Sequence, residues 1–172
     1  MLCPNVFHSW REAAIELIQQ PVYGLLKYEP QAIEYLLKLS GGRPYLLQYL
    51  CYLIIKRCSA KDKLLVDLET IEAVVPFLYE DIYFLHYAMD RLAEVEQRVI
   101  LAAAPLIQTD RDTFTINQLG KVLSEGNAKL SMSQLKNSLD NLVRRELLTV
   151  DDQGNYKFTM EIFQRWLVER AK

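Results

Sequence analysis

Hydrophobic residues recur along this chain at helical rather than alternating spacing for most of its length. Ala14, Ile15, Leu17 and Ile18 form one apolar face after Ser9-Trp10-Arg11-Glu12, a capping-box pattern, and Pro21 stops that run. The spacing predicts a helix over Trp10–Gln19. "VYGLLKY" reads as a short strand or an extended link. A second helix starts at Glu29-Pro30, carries Ile33, Leu36, Leu37 and Leu39, and stops at Gly41-Gly42. Pro44 opens a third, through about Cys58, that is apolar nearly all round and so predicts a central position in a helical bundle. After the polar loop "SAKDK", Asp67 is a candidate cap for a further helical stretch, broken near Pro76, that runs to Leu92.

Beyond Leu92 the pattern changes. Ala93–Ile107 predicts a helix with Val95, Val99, Ile100 and Ala103 inward. "DTFTI" is a short extended stretch, and Thr115–Ser124 a second helix. The polar turn "EGNAKL" leads to the candidate caps Ser131 and Ser133. A third helix follows, with Leu135, Leu139, Leu142 and Val143 on its buried face. "LLTVDDQGNYKFTM" holds two alternating runs around Asp-Asp-Gln-Gly-Asn, a β-hairpin signal, and "EIFQRWLVERA" closes the chain as a helix. Helix, strand, helix, helix, hairpin, helix is the order of a winged helix-turn-helix domain. The expected fold is therefore mostly α, a helical bundle over 1–92 followed by a winged-helix domain over 93–172 with a small β-hairpin.

Composition fits a folded globular chain: 172 residues, 51% hydrophobic and 24% charged. The net charge is −2, with 9 basic and 11 acidic residues in 1–92 and 11 of each in 93–172, so neither half attracts phosphate backbones or anionic membranes globally. Cys3, Cys51 and Cys58 lack metal spacing; the latter two lie on an apolar helix and are expected to be buried free thiols, as suits a reducing compartment. No basic stretch followed by an apolar core marks a signal peptide. The most apolar run, Tyr45–Ile55, is short of the roughly 20 residues a bilayer span needs, so a cytoplasmic location is expected.

No catalytic constellation emerges. The nearest approach to a phosphate-binding G-x-x-x-x-G-K-[S/T] is Gly120-Lys121, with Thr115 in place of the first glycine and Val122 in place of the hydroxyl. His8 and His86 are isolated, Glu80-Asp81 reads as a solvated edge, and the serines lack a nucleophile-elbow context. No enzyme activity is expected of the chain itself.

In a winged helix the third helix would offer Gln134, Lys136, Asn137, Asn141, Arg144 and Arg145 to a DNA groove. Asp140 lies among them and Asp151-Asp152 at the wing tip, where both repel phosphates. Charge therefore favours a structural or protein-contact role over DNA. A third reading, a protein-interaction adaptor, rests on Tyr79, Tyr83 and Tyr87, spaced four apart. Packing within the protein is the simpler account of those rings.

"LIQQPVYGLLKYEPQAIEYLLKLSGGRPYLLQYLCYLI" resembles the helical lid of AAA-like ATPases of the STAND and archaeal-ATPase kind. "AEVEQRVILAAA", "LVRRELL" and "YKFTMEIFQRWL" resemble the start and end of the winged-helix module that follows that lid. The resemblance covers most of residues 9–170 and implies a non-catalytic, regulatory part of such an ATPase. An upstream P-loop domain would hold ATP or ADP with Mg, and this part would couple nucleotide state to a protein partner or effector domain. It places Gly42, Arg43 and Pro44 near the nucleotide, with Arg43 standing where the family often has histidine. On the residues alone, Gly-Gly then Pro is a helix stop and a helix start that need no ligand. No cofactor is expected in this part alone, and no membrane partner.

Overall fold

The computed structural model describes the backbone of residues 4–81, 83–107, 113–126 and 130–170, with side chains for all of these except 4–9, 80, 81 and 84. Expectations for Cys3, the His8 side chain, Glu80-Asp81 and the turn over 127–129 lie outside the described residues. The fold is mostly α, with a three-stranded antiparallel sheet near the C-terminus. Contacts divide the chain into two compact units, Met1–Ile82 and Tyr83–Lys172.

The first unit begins with α1 (Pro4–Gln19). It starts earlier than the sequence suggests, because Pro4 is suited to a first helical turn. Ser9 is thus interior to α1 rather than its cap. A 3-10 turn over Gln20–Val22 ends the helix at Pro21. Next come β1 (Lys27–Tyr28), α2 (Pro30–Ser40) and α3 (Pro44–Ala60). β2 (Leu65–Val66) pairs parallel with β1, Lys27 against Leu65 and Tyr28 against Val66. Two-residue strands carry too little periodicity to be read from sequence, and their pairing needs the crossover through α2 and α3. α4 (Leu68–Glu72) and α5 (Val75–Asp81) complete the unit; the break falls at Ala73-Val74, and Pro76 sits in the first turn of α5, where its missing N–H costs nothing.

Leu36, Leu39, Leu46, Leu47, Leu50 and Ile54 are at most 1% exposed and form the centre of this unit. Fully burying each leucine or isoleucine is worth roughly 1.5–3 kcal/mol. α3 nevertheless departs from the all-round burial expected of it. Tyr45, Gln48, Tyr52 and Lys56 are exposed on one side, so α3 packs one face only. Cys51 and Cys58 are buried and free as expected; burial pushes the Cys51 thiol up to about 11 and raises that of Cys58.

The second compact unit starts with α6 (Tyr83–Asp90). The Gln97 side-chain amide links α6 to the helix that follows. It donates to the carbonyls of Met89 and Leu92, both at 3.1 Å, and so ties α6 to α7 (Glu94–Ala103). A 3-10 turn (Ala104–Leu106), β3 (Phe114–Thr115), α8 (Ile116–Glu125) and α9 (Met132–Arg144) follow. β4 (Leu148–Val150), β5 (Asn155–Phe158) and α10 (Glu161–Arg170) end the described chain.

The sheet order is β3-β5-β4, so the isolated first strand lies against the second strand of the hairpin. Phe114 faces Tyr156, and Leu148, Thr149 and Val150 face Phe158, Lys157 and Tyr156. Thr115 and Ser131 cap α8 and α9 in reciprocal boxes with Gln118 and Gln134, whereas Ser133 sits inside α9. An aromatic series runs Tyr156, Phe114, Phe158, Phe163, Trp166, with successive centroids 5.6, 6.4, 6.4 and 5.9 Å apart. Each such pair adds about 0.5–1.5 kcal/mol beyond area burial and fastens α10 to the sheet.

Asp67 caps α4 as expected. Its carboxylate accepts from the Thr70 amide at 2.9 Å, the Thr70 hydroxyl at 2.6 Å and Lys63 Nζ at 2.8 Å. Lys63 first, and then the two Thr70 donors, hold this carboxyl well below the usual range. A depressed native pKa gives stability that is present above the unfolded value of about 3.9 and is lost as pH falls towards the native one. Asp67→Asn should therefore destabilise by about 1 kcal/mol at neutral pH. In urea melts its gap from the wild type should narrow steadily below about pH 4. A gap independent of pH would contradict the ionic role.

Candidate functional site

The Gly-Gly-Arg-Pro corner is built from a helix stop and a helix start. Gly41 (φ 55°) and Gly42 (φ 69°) are both left-handed, a conformation glycine takes at little cost. Pro44 occupies the first turn of α3. The backbone donors here all have internal acceptors. Gly41 N–H donates to the Lys38 carbonyl at 3.4 Å, Gly42 N–H to Ser40 Oγ at 3.1 Å and Arg43 N–H to the Ser40 carbonyl at 3.2 Å. Ser40, fully buried, donates in turn to the Leu37 carbonyl at 3.3 Å. Pro44 has no N–H.

Gly42 is buried under the indole of Trp10 from α1. A Cβ built at position 42 would lie 1.3 Å from Trp10 Cζ2. Gly42, Arg43 and Pro44 are consecutive in this corner, and none of the three has a spare backbone donor for a phosphate. A nucleotide contact at these three positions would run through side chains or through the first-turn amides of α3 that follow them. No sequence signal announces the Trp10 contact, because nothing local relates positions 10 and 42.

The α9 residues named for DNA are divided by the structure. Asn141 Nδ2 donates to Glu96 Oε1 at 2.9 Å, and Arg145 Nε lies 3.9 Å from Glu96 Oε2. Glu96 also accepts from the Ala93 N–H at 3.0 Å and is only 5% exposed. Gln134 Oε1 accepts from the Ser131 N–H at 2.9 Å, closing the cap of α9. Lys136 Nζ donates to Asp140 at 2.6 Å and to the Tyr156 hydroxyl at 3.3 Å. Asn137 and Arg144 are exposed, with no side-chain partner among the described residues.

The hairpin tip is anionic. Asp151 Oδ1 accepts from the Gln153 and Asn155 amides at 2.9 and 2.8 Å, and Oδ2 from Asn155 Nδ2 at 2.9 Å. Asn155, through its side chain and then its amide, lowers the Asp151 pKa, so this exposed tip keeps its charge.

The apolar pattern predicts Val95 inward, but Glu96 is the buried residue. Val95 is 37% exposed. The signal was present: 96, 99, 100 and 103 follow helical spacing, and Glu96 rather than Val95 continues the stripe of Val99, Ile100 and Ala103. Tyr79 lies in α5, and Tyr83 and Tyr87 in α6. Tyr83 is 87% exposed, and the Arg91 guanidinium lies 4.8 Å from the Tyr87 ring centroid.

His86 sits edge-on to Trp166 with centroids 5.0 Å apart, and its Nδ1 lies 3.2 Å from Arg170. Among the described residues no group of three or more His, Cys, Asp or Glu is placed to hold a metal ion, and no helix is long and apolar enough to cross a membrane. No protein-family model matches the chain, and no curated protein matches it.

Gly42→Ala should destabilise more than Gly24→Ala. Both positions have positive φ, which costs a non-glycine residue roughly 1–2 kcal/mol, but a Cβ at Gly24 meets nothing within 4 Å. Displacing the indole should add about 1–3 kcal/mol and move Trp10 emission to the red. Equal melting shifts for the two variants would contradict this packing. Glu96→Ala should lower unfolding stability by about 1–3 kcal/mol. The exposed Glu94→Ala should stay within about 0.5 kcal/mol. Urea unfolding of the two variants separates a buried anchor from an ordinary surface carboxylate.

Proposed function

We propose that this chain is the lid and winged-helix part of an AAA-like ATPase of the STAND and archaeal-ATPase kind. On this reading it is regulatory and non-catalytic. It couples the nucleotide state of a P-loop domain, which would hold ATP or ADP with Mg, to a protein partner or effector domain. The observation that carries the reading is the connectivity of the second unit. Helix, strand, helix, helix and hairpin occur in that order, with β3 laid against β5, as a winged helix requires. A helical unit containing the Gly-Gly-Arg-Pro corner precedes it.

Protein coupling is favoured over DNA contact by where the polar groups of α9 are directed. Asn141 and Arg145 face Glu96, Gln134 closes a cap, and Lys136 is paired with Asp140. With an anionic hairpin tip, this leaves little unmatched positive charge for phosphates. The amides of Gly42 and Arg43 are occupied as well, so on this reading these residues pack and move as part of a lid rather than cradle phosphate.

The purified chain is expected to release no phosphate from millimolar ATP–Mg, and turnover that stays with the chain through purification would overturn the assignment. The same preparation is expected to give no shift of duplex DNA at low salt. A salt-dependent shift abolished by Arg144→Glu and Lys136→Glu would replace this reading with a DNA-binding module. The neighbouring upstream coding sequence is expected to carry a P-loop and an acid-ended strand.

A further inference from the structure

A groove of about 330 Å³ runs along the outer side of α1 and the turn that follows it. Glu12, Ile15, Glu16 and Gln19 line it from the helix, and Gln20 and Tyr23 from the turn. The helix residues stand three and four apart, so at about 100° per residue they share one side of α1. Ala14 and Ile18 are buried and turned away from it. Ligand clefts span roughly 300–1,000 Å³. This groove is at the small end, suited to one long side chain and its neighbours.

Tyr23 is displayed rather than packed. It is 90% exposed, yet the backbone around it is bonded on both sides. Its N–H donates to the Gln20 carbonyl at 3.3 Å, and the N–H groups of Leu25 and Leu26 donate to the Val22 carbonyl at 2.9 and 3.0 Å. Gly24, at φ 79°, turns the chain away directly after the ring. A well-tied turn thus presents an aromatic face at the rim of the groove, where folding asks for none.

The charge lining the groove is all of one sign. Glu12 and Glu16 are exposed and four apart, a spacing at which like charges on a helix repel. Gln19 and Gln20 stand three and four residues after Glu16, and Ala13 and Glu12 before it, so no neighbouring cation on the helix answers it. Arg11 is the one Lys or Arg of α1, and it pairs with Glu34 of α2. Glu16 itself has no side-chain partner among the described residues.

A cation on an aliphatic stem matches each of these features. The carboxylates and the face of the tyrosine ring both attract it, and Ile15 gives the stem an apolar floor. A phosphate backbone or an acidic segment would meet two carboxylates and no cation. Arginine fits better than lysine, because a flat guanidinium stacks on a ring and takes a carboxylate through two N–H bonds. We propose that this groove is a docking site for an arginine-bearing segment of a partner protein. The guanidinium lies between Glu16 and the Tyr23 ring, and its stem runs along Ile15. The inference uses only α1 and the turn after it, and it does not depend on the lid reading.

The test follows amide NMR shifts of the isotope-labelled full chain during titration with short unlabelled peptides. One peptide has a single arginine between two leucines. The second carries citrulline, which keeps the shape and removes the charge. Free arginine amide is the third probe. The arginine peptide is expected to move the amide signals of Ile15 to Leu25, and the citrulline peptide to bind at least about tenfold more weakly. Glu16→Gln should weaken the arginine peptide about tenfold, and Tyr23→Ala about two- to fivefold. Both side chains are exposed, so circular dichroism melts should stay close to wild type and separate lost docking from lost folding. Absence of binding overturns the proposal, as does equal binding of the citrulline peptide or binding indifferent to both variants. Arginine amide that binds as tightly as the peptide would make this a small-cation site and overturn the partner segment.

Discussion

The turn at Gly41 and Gly42 is the constraint on which the first unit depends. Two successive residues at positive φ end α2 and redirect the chain one residue ahead of Arg43-Pro44, where α3 begins. Ser40 lies beneath them, fully buried, its hydroxyl bonded both to the Leu37 carbonyl and to the Gly42 amide. This geometry lets Leu36 and Leu39 of α2 face the same core as Leu46, Leu47 and Leu50 of α3. The Trp10 indole closes over Gly42, which anchors α1 to the corner. A side chain at position 42 would have to displace that ring, so the glycine is required by packing and backbone together.

The second unit is held by different means. Its sheet is small, with strands of two to four residues, and such a sheet needs a face to pack against. Phe114, Tyr156 and Phe158 supply that face, and Phe163 and Trp166 of α10 continue it. On the other side Glu96 joins α7 to α9 through Asn141 and Arg145 while capping its own helix. A buried carboxylate is tolerable only with several donors around it, and Glu96 has them. The same donors are the ones that a groove-reading helix would need outward. Stability of the unit and DNA readout therefore compete for one set of side chains, and here the set is used internally.

The helical units and their cores were legible in the chain because burial imposes a 3.6-residue period. Ile33, Leu36, Leu37 and Leu39, or Leu135, Leu139 and Leu142, announce a buried face without any structure. Caps and turns were equally legible where one residue type does a local job, as at Asp67, Thr115, Ser131, Gly41 and the hairpin around Gly154.

Only the tertiary structure decided how those elements use their polar and aromatic residues. The parallel pairing of Lys27–Tyr28 with Leu65–Val66 joins segments far apart in sequence and leaves no local trace. The half-exposed α3, hydrophobic enough to read as central, is open along its tyrosines because tyrosine serves a core and a surface alike. Whether Glu96, Asn141 and Arg145 face a partner or one another depends on the separation of two helices, a distance that no spacing along the chain encodes. The sequence by itself determined the helices, their stops and their buried faces, because those follow from local backbone preference and periodic burial. The covering of Gly42, the internal anchoring of α9 and the exposed aromatic stripe of α3 were settled by tertiary packing, because each depends on what lies across space.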